Sequence, residues 1–340
     1  MAAADERALE DALKKYSVYD RHVDVVSAFE WLYTSPEVKD VPQTVKHFER
    51  FPRISVSRQR TLTPDFTILF NDGGGLVCEI AEIALHENSV NKLCKQLGAY
   101  DSLTKLPAGS SGLADVTHVD VLLFVSMRVG PAAVDRIIIE RFQCEDHTYS
   151  PTVAPVIVQY ARDDGVYSFQ RIHHADNGVL RESERDPQIQ PRLDRGLNIP
   201  ATRFVGIKAA RAFINDAVDS LYLATHLWTK TWPSVYGRAD NRVIDVSIHD
   251  TVSILREQYG AVRARDVRAA FDLLNNASLA RHEQESDQWK VAWGRIAKTG
   301  DGDIHKQIAR RAYATRRPAL PRQLQQVIQQ RRPESQPTLF

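Results

Sequence analysis

Residues 64–81 run Pro64-Asp65-Phe66-Thr67-Ile68-Leu69-Phe70-Asn71-Asp72-Gly73-Gly74-Gly75-Leu76-Val77-Cys78-Glu79-Ile80-Ala81. The run Asp65–Phe70 is rich in aromatic and β-branched residues and is entered through a proline, as a strand start is. Asn71-Asp72-Gly73-Gly74-Gly75 supplies turn chemistry. Residues 76–84 form a second apolar run, so the spacing predicts a β-hairpin. Just before it, Ile54-Ser55-Val56-Ser57 alternates like a strand. Residues 35–52 hold three prolines and read as loop with a short helix. Further upstream, residues 5–15 read as a short charged helix. Residues 21–34 place Val25, Ala28, Phe29 and Leu32 on one helical stripe.

Downstream, residues 88–104 carry Val90, Leu93, Cys94 and Leu97 on one helical face. Residues 107–114 read as a loop, and Val119–Ser126 as a strand apolar enough for the middle of a covered sheet. The order helix, three strands, helix, strand predicts an α/β core. Further strands are expected at 136–142 and 154–172. From Phe204 the pattern becomes mainly helical, at 208–228, 247–259, 264–277 and 283–298. Residues 255–274 read as helix, glycine turn at Gly260, then helix. This suits a helix-turn-helix or winged-helix module, or an ordinary helical hairpin, which is preferred in the absence of base-reading evidence. The expected organisation is a core at 1–175, a linker at 176–203, a helical domain at 204–304 and a basic flexible tail at 305–340.

The chain has 340 residues, 44 Lys and Arg against 43 Asp and Glu, with 43% hydrophobic and 26% charged residues. This is the composition of a globular chain long enough for about two domains. No apolar run is long enough for a membrane span. The first residues, Met1-Ala2-Ala3-Ala4-Asp5-Glu6, lack the basic start and apolar stretch of a signal peptide. Three cysteines, Cys78, Cys94 and Cys144, show no paired spacing. Reduced thiols and a cytoplasmic location are therefore expected. Cys144 and His147 offer only two ligands where structural zinc needs four. Gly73–Gly75 lacks the Lys-Ser/Thr and helix of a phosphate loop. Neither a zinc site nor a nucleotide loop is expected, and the sequence leaves the oligomeric state open.

The chemistry concentrates at 65–100. A hairpin brings Asp65 and Glu79 to one place, and the Ile80 carbonyl lies beside them. Two carboxylates and a carbonyl suit Mg²⁺, a hard ion that keeps several waters, with Mn²⁺ as a substitute. Glu79 stands in the apolar run Leu76–Ala81, where an unpaired carboxylate is costly to bury. Each residue also has a plain structural reading. Asp65 after a proline suits a strand start, Gln96 and Tyr100 suit a helix border, and Lys92 suits a solvated surface. Glu30 is expected at the surface.

Taken together, Pro64-Asp65, Glu79-Ile80-Ala81 and Gln96-Leu97-Gly98-Ala99-Tyr100 resemble the motifs of the PD-(D/E)xK nuclease superfamily, the last of them the QxxxY helix motif of its RecB-type branch. The resemblance covers residues 20–127. It implies a restriction-endonuclease-like core in which Asp65, Glu79 and the Ile80 carbonyl hold Mg²⁺ and in which Gln96 and Tyr100 contact DNA. The implied activity is DNA cleavage in repair, replication or defence. One departure stands out: the lysine position of the motif is Ala81. Lys92, Gln96 and Tyr100 share a helix face at i, i+4 and i+8, so the resemblance implies that Lys92, or its neighbour Lys95, supplies the missing charge. The rival readings are an inactive DNA-binding adaptor on the same fold, and a restriction-like or defence nuclease.

Residues 305–340 hold eight Lys and Arg, among them Arg310, Arg311, Arg316 and Arg317, against one acid, a net of +7. Such a segment adds nonspecific phosphate affinity. The near-neutral total therefore hides a basic end. The last residues, Gln336-Pro337-Thr338-Leu339-Phe340, resemble the bacterial sliding-clamp-binding pentapeptide. That likeness implies a clamp as partner, with Gln336, Leu339 and Phe340 as anchors.

Overall fold

The computed structural model describes residues 3–39, 41–57, 60–81, 87–142, 149, 151–181, 189–214, 217–237, 242–260, 262–293 and 303–313. They form a mixed α/β protein of two compact units, His22–Ala209 and Met1–Arg21 with Ala210–Phe340. The first helix, α1 (Ala3–Thr34), is continuous and contributes to both units, where two separate helices were expected. The N-terminal residues thus group with the C-terminal unit and not with the core at 1–175.

The core unit continues with β1 (Val45–Arg50), β2 (Ile54–Ser57), β3 (Arg60–Leu62), β4 (Phe66–Phe70), β5 (Gly74–Ala81) and α2 (Glu87–Asp101). Next come β6 (Lys105–Pro107), β7 (Leu113–Asp115), β8 (His118–Ser126) and α3 (Gly130–Val134), which runs on as a π-helical stretch Asp135–Phe142. The unit closes with β9 (Val156–Asp163), β10 (Val166–Arg171), α4 (Ile189–Arg195), β11 (Leu197–Pro200) and α5 (Ala201–Ala210). Seven strands make one sheet in the order β1-β4-β5-β8-β9-β10-β11. β1, β4 and β5 are antiparallel, β8 joins β5 in parallel after α2, and β9 joins β8 in parallel.

Strand alternation sorts the sheet's side chains onto two covered faces. On one, Phe29 of α1 meets Phe124, Phe169 and Phe66 with ring centroids 4.6, 5.0 and 5.8 Å away. On the other, Val90, Leu93, Cys94, Leu97 and Tyr100 of α2 pack on Val77, Val121, Leu123, Val125 and Ile157. The hairpin turn needs its glycines. Gly73 sits at φ +86°, and a Cβ on Gly75 would lie 2.5 Å from the Leu106 side chain.

Several expectations for this unit are corrected. The first strand of the antiparallel set is β1, Val45-Lys46-His47-Phe48-Glu49-Arg50, in a segment that read as loop. It is an edge strand in which Lys46 is exposed and His47 and Glu49 are half-exposed, so it carries little apolar signature. β2 pairs only with β3, in a separate ribbon. Residues 107–114 are mostly the connection expected, with a 3-10 turn at Gly109–Ser111, and only their ends join the small β6–β7 ribbon. Residues 136–142 are helical, not a strand. Ala133, Val134, Ile137 and Ile138 are buried at helical spacing, so burial overrides the β-preference of the isoleucines. Residues 154–172 are two strands joined by a turn with Asp164 and Gly165 at positive φ. The expected linker at 176–203 contains α4 and the seventh strand of the sheet.

The second unit adds α6 (Ser220–His226), a π-helical stretch Leu227–Thr231, α7 (Trp232–Tyr236), β12 (Arg242–Val246), α8 (Ile248–Tyr259), α9 (Ala264–Asn276), β13 (Ala280–Glu283), β14 (Gln288–Trp293) and α10 (Ile304–Ala312). Asp219 and Ser247 cap α6 and α8 through the N–H groups of Tyr222 and Asp250, at 2.9 and 3.0 Å. The three strands form an antiparallel sheet in the order β12-β14-β13. Trp228, Trp232, Phe271 and Trp289 make a chain of ring contacts 5.2–6.0 Å apart. The unit is therefore not all-helical: of the helix expected at 283–298, the described residues 283–293 are the end of β13, a turn and β14, and 294–298 lie outside the described residues. Trp289–Trp293 is buried at every position, which hides the alternation of a strand. Its one charge, Lys290, is paired with Asp245 at 2.7 Å. Residues 304–312 of the expected flexible tail are the helix α10, with Ile308 and Ala309 buried. Arg310 and Arg311 stand on that helix. Arg316, Arg317, Gln336, Leu339 and Phe340 lie outside the described residues. No helix among the described residues is long and apolar enough to cross a membrane.

His226 of α6 is buried between the rings of Phe213 and Tyr259, with centroids 4.9 and 4.5 Å away. Burial first, then the nearby Lys230 charge, push its pKa down from 6.5 to about 3. The unfolded chain therefore takes up a proton below about pH 6.5 that the folded unit refuses, and stability falls as pH drops through this range. Between about pH 7.5 and about pH 5 the loss from this residue is about 2 kcal/mol. Urea unfolding of His226→Phe should show a pH dependence flatter than wild type by about that amount. Identical pH slopes for the two proteins would contradict the assignment.

Candidate active site

β4 and β5 are paired with Phe66 opposite Cys78. Just beyond that pair Asp65 lies beside residues 78–80 of β5, its N–H on the Cys78 carbonyl and its carboxylate on the Ile80 N–H. Glu79 faces α2, because Val77 and Ala81, two residues either side of it, belong to the α2 cluster. The β4 ladder ends here because Pro64 has no N–H to donate. The last main-chain bond runs from the Asp65 N–H to the Cys78 carbonyl at 3.0 Å.

Asp65 is only 9% exposed, so its carboxylate needs partners. The Ile80 N–H donates to Oδ2 at 2.7 Å, and His22 Nε2 donates to Oδ1 at 2.6 Å. The N–H and C=O of one residue leave an extended strand on the same side. The Ile80 carbonyl therefore faces the same strand end as Asp65. Glu79 is half-buried and accepts the Tyr100 hydroxyl at 2.8 Å, while Gln96 Nε2 donates to that hydroxyl at 2.6 Å. The chain Gln96–Tyr100–Glu79 thus orients one carboxylate, and the Ile80 amide with His22 orients the other. Burial, and then the Glu79 charge, push the Tyr100 hydroxyl well above its ordinary pKa, with Asp65 adding to the shift. The phenol stays a donor. Burial, Asp65 and Glu79 likewise raise the Cys78 thiol, which stays protonated.

The expected residues divide accordingly. Asp65, Glu79, Ile80, Gln96 and Tyr100 come together. Tyr100 has no exposed surface, so it acts on Glu79 and does not touch a ligand directly, in contrast to the DNA contact the motif implies. Gln96 is half-buried beside it. Ala81 is partly buried against the α2 cluster. Lys92 and Lys95 are exposed on α2. At a rise of 1.5 Å per residue, Lys92 lies about 12 Å along the helix axis from Tyr100. Neither lysine makes bonding contact with Asp65 or Glu79. Glu30 is buried, not a surface residue, and pairs with Arg50 Nη1 at 3.0 Å.

His22 is the site residue that sequence reasoning missed. Its signal was available: Val25, Val26 and Phe29 follow at i+3, i+4 and i+7 and are all buried, so His22 sits on an inward stripe. A surface recess lined by Phe70, Asp72, Leu76, His118, Asp120 and Arg181 lies at the turn end of the same hairpin. With a strand rise of about 3.4 Å per residue, that recess is about 15 Å from Asp65.

Among the described residues no group of three or more His, Cys, Asp or Glu side chains is arranged to hold a metal ion. What the strand end offers is two carboxylates and a carbonyl, all hard oxygen donors. A carboxylate oxygen has two lone-pair positions, so accepting one hydrogen bond does not by itself exhaust its capacity as a ligand. This donor set fits Mg²⁺, which is commonly held by one or two carboxylates together with water and substrate phosphate. Comparison of the chain with family models, with curated proteins and with solved structures gives no match.

Removing the Tyr100 hydroxyl leaves Glu79 and Gln96 each short of a bond in a half-buried place. Tyr100→Phe should cost about 1–2 kcal/mol of stability in urea unfolding. In a Glu79→Gln background the same change should cost measurably less, because the two groups share one bond. Strict additivity of the two substitutions would show that the bond carries no energy.

Proposed function

We propose that this chain is a metal-dependent DNA nuclease of the PD-(D/E)xK type. The observation that carries the reading is that Asp65 bonds the Ile80 amide, the residue next to Glu79, at the open end of the β4–β5 hairpin, while Glu79 is held by Tyr100. The strand sequence around it supports a restriction-endonuclease-like core: β1, β4 and β5 antiparallel, then α2, then β8 parallel to β5. In this reading Asp65, Glu79 and the Ile80 carbonyl hold Mg²⁺ or Mn²⁺. When bound, the ion supplies charge at a phosphoryl oxygen and lowers the pKa of an attacking water.

The protein's own part is geometric. The Ile80 amide and His22 hold the Asp65 carboxylate in one orientation, and Tyr100 does the same for Glu79. Positions fixed in this way matter because catalysis loses strongly with small misplacement of a reacting group. Water oxygen attacks phosphorus, the bond to the leaving sugar oxygen breaks, and the departing oxygen takes up a proton. Lys92, or Lys95, is the candidate for positive charge beside that developing charge, reaching in from α2 on binding of DNA. The Gln-Pro-Thr-Leu-Phe end would bring the enzyme to a sliding clamp.

A second reading has its own observation. Ala81 occupies the motif lysine position, and both substitutes stand exposed and out of contact with the carboxylates. A DNA-binding adaptor that has lost catalysis would look the same.

The two separate in a cleavage assay on linear, nicked and single-stranded DNA with Mg²⁺ or Mn²⁺. The nuclease reading expects Asp65→Asn and Glu79→Gln each to lower the rate about 100-fold or more. Tyr100→Phe should lower it about 10-fold. Of Lys92→Ala and Lys95→Ala, only one should approach the carboxylate variants. Activity surviving Asp65→Asn would remove the site, and absence of cleavage by wild type on every substrate would favour the adaptor. For the tail, deletion of Leu339 and Phe340 should abolish binding to a purified sliding clamp and leave cleavage of naked DNA intact. Unchanged clamp affinity would reject that role.

A further inference from the structure

The second unit holds an arrangement that the nuclease site does not use. α8 is followed by Gly260 at φ +102°, and α9 begins four residues later at Ala264. α9 leads directly into the β13–β14 hairpin, and β14 closes against β12. Val267, Ala270, Phe271, Leu273 and Leu274 bury one side of α9 in the unit's core. The other side is exposed and differs in chemistry along its length. Its start carries Arg263, Arg265 and Arg268, with Ala264 and Ala269 between them. Its end carries Asp272, Asn275 and Asn276. Arg265, Arg268, Ala269, Asp272 and Asn276 fall at i, i+3, i+4, i+7 and i+11, on one helical face.

We propose that this unit is a helix-turn-helix module that binds duplex DNA, laying the exposed face of α9 in the major groove with Arg263, Arg265 and Arg268 against the phosphates at its rim. Three properties of the face fit that partner. The groove is wide enough for one helix. In helix-turn-helix docking the N-terminal part of the second helix makes the closest approach, and that is where the arginines stand. The alanines at 264 and 269 keep the same part narrow, so that the backbone can come close. The three arginines outweigh Asp272 on this face, and the contact of Arg265 Nε with Asp266 Oδ1 is long, at 3.4 Å. The tip of the following hairpin carries Glu285 and Asp287, both exposed. Phosphates repel such a tip, so the docked module turns the β13–β14 hairpin away from the backbone, and α9 carries the contact.

This inference deepens the nuclease reading by naming duplex DNA as the partner, and rests on that reading for DNA as the nucleic acid. Its test is separable. The full chain carrying Asp65→Asn is mixed with a fluorescent duplex of about 25 base pairs and arbitrary sequence, and with the matching single strand. Anisotropy is read across about 50 to about 200 mM salt. The expected result is tighter binding to the duplex than to the single strand. Arg265→Ala with Arg268→Ala should weaken duplex binding about tenfold or more and flatten the salt dependence by about two phosphate contacts. Arg265→Lys with Arg268→Lys should restore most of the salt slope, because lysine keeps the charge. Urea unfolding of each variant shows whether the fold is kept.

Unchanged duplex affinity and slope in a folded double alanine variant would overturn the proposal, as would equal loss on duplex and single strand. Loss of duplex binding in that variant, with no cleavage by wild type under any condition, would sustain this inference and remove the nuclease reading. Cleavage abolished by Asp65→Asn together with unaltered duplex binding in the α9 variant would do the reverse.

Discussion

The Asp65 carboxyl group sits at a place where water scarcely reaches, and the chain around it is arranged to supply its hydrogen bonds. An amide of the neighbouring strand and an imidazole from α1 take its two oxygens. Removing either partner would leave a buried charge short of a bond, which is among the costlier defects a core can carry. The hydrogen bond from Ile80 exists only because β4 and β5 are in one register. That register exists because a glycine turn with no room for a Cβ at Gly75 closes the hairpin. A slip of one residue would turn Glu79 toward the α1 side and away from Tyr100.

The same alternation explains why two helices are needed. Leu76, Cys78 and Ile80 point to one face of the sheet, and Val77, Glu79 and Ala81 to the other. α1 covers the first with Phe29 at the centre of an aromatic cluster. α2 covers the second and supplies Tyr100 to Glu79. The helix that seals the core is therefore also the one that orients a site carboxylate. This economy ties site geometry to core packing, because α2 cannot shift without moving the phenol that holds Glu79.

Much of the candidate site was legible in the sequence. Asp65 and Glu79 announced themselves by position, one after a strand-opening proline and the other inside an apolar strand. Gln96 and Tyr100 followed from helical spacing. His22 was missed because its partner is 43 residues away and only its place on a buried stripe pointed to it. The fold was less evenly legible. β1 was lost because an edge strand needs little apolar surface. The helix at 136–142 reads as a strand because Ile137-Ile138-Ile139 is a β-branched run, and the strand at 288–293 reads as helix because it is buried at nearly every position. A segment with no solvent face has no periodicity by which to tell 3.6 from 2. β11 was taken for linker because its partner, β10, is distant in sequence pattern though adjacent in space.

By itself the sequence determined the hairpin, the residue types at its open end and the helix that follows, since turn chemistry, alternation and helical spacing are local properties. It also determined that the position where the resemblance would expect a lysine is Ala81. Only the tertiary structure decided that Tyr100 serves Glu79 from inside the core, that His22 completes the Asp65 environment, and that the C-terminal unit joins its two helices to a three-stranded sheet. Each of these depends on segments far apart along the chain meeting at a shared buried surface. Hydrogen-bond satisfaction and packing then select among partners that no local pattern distinguishes.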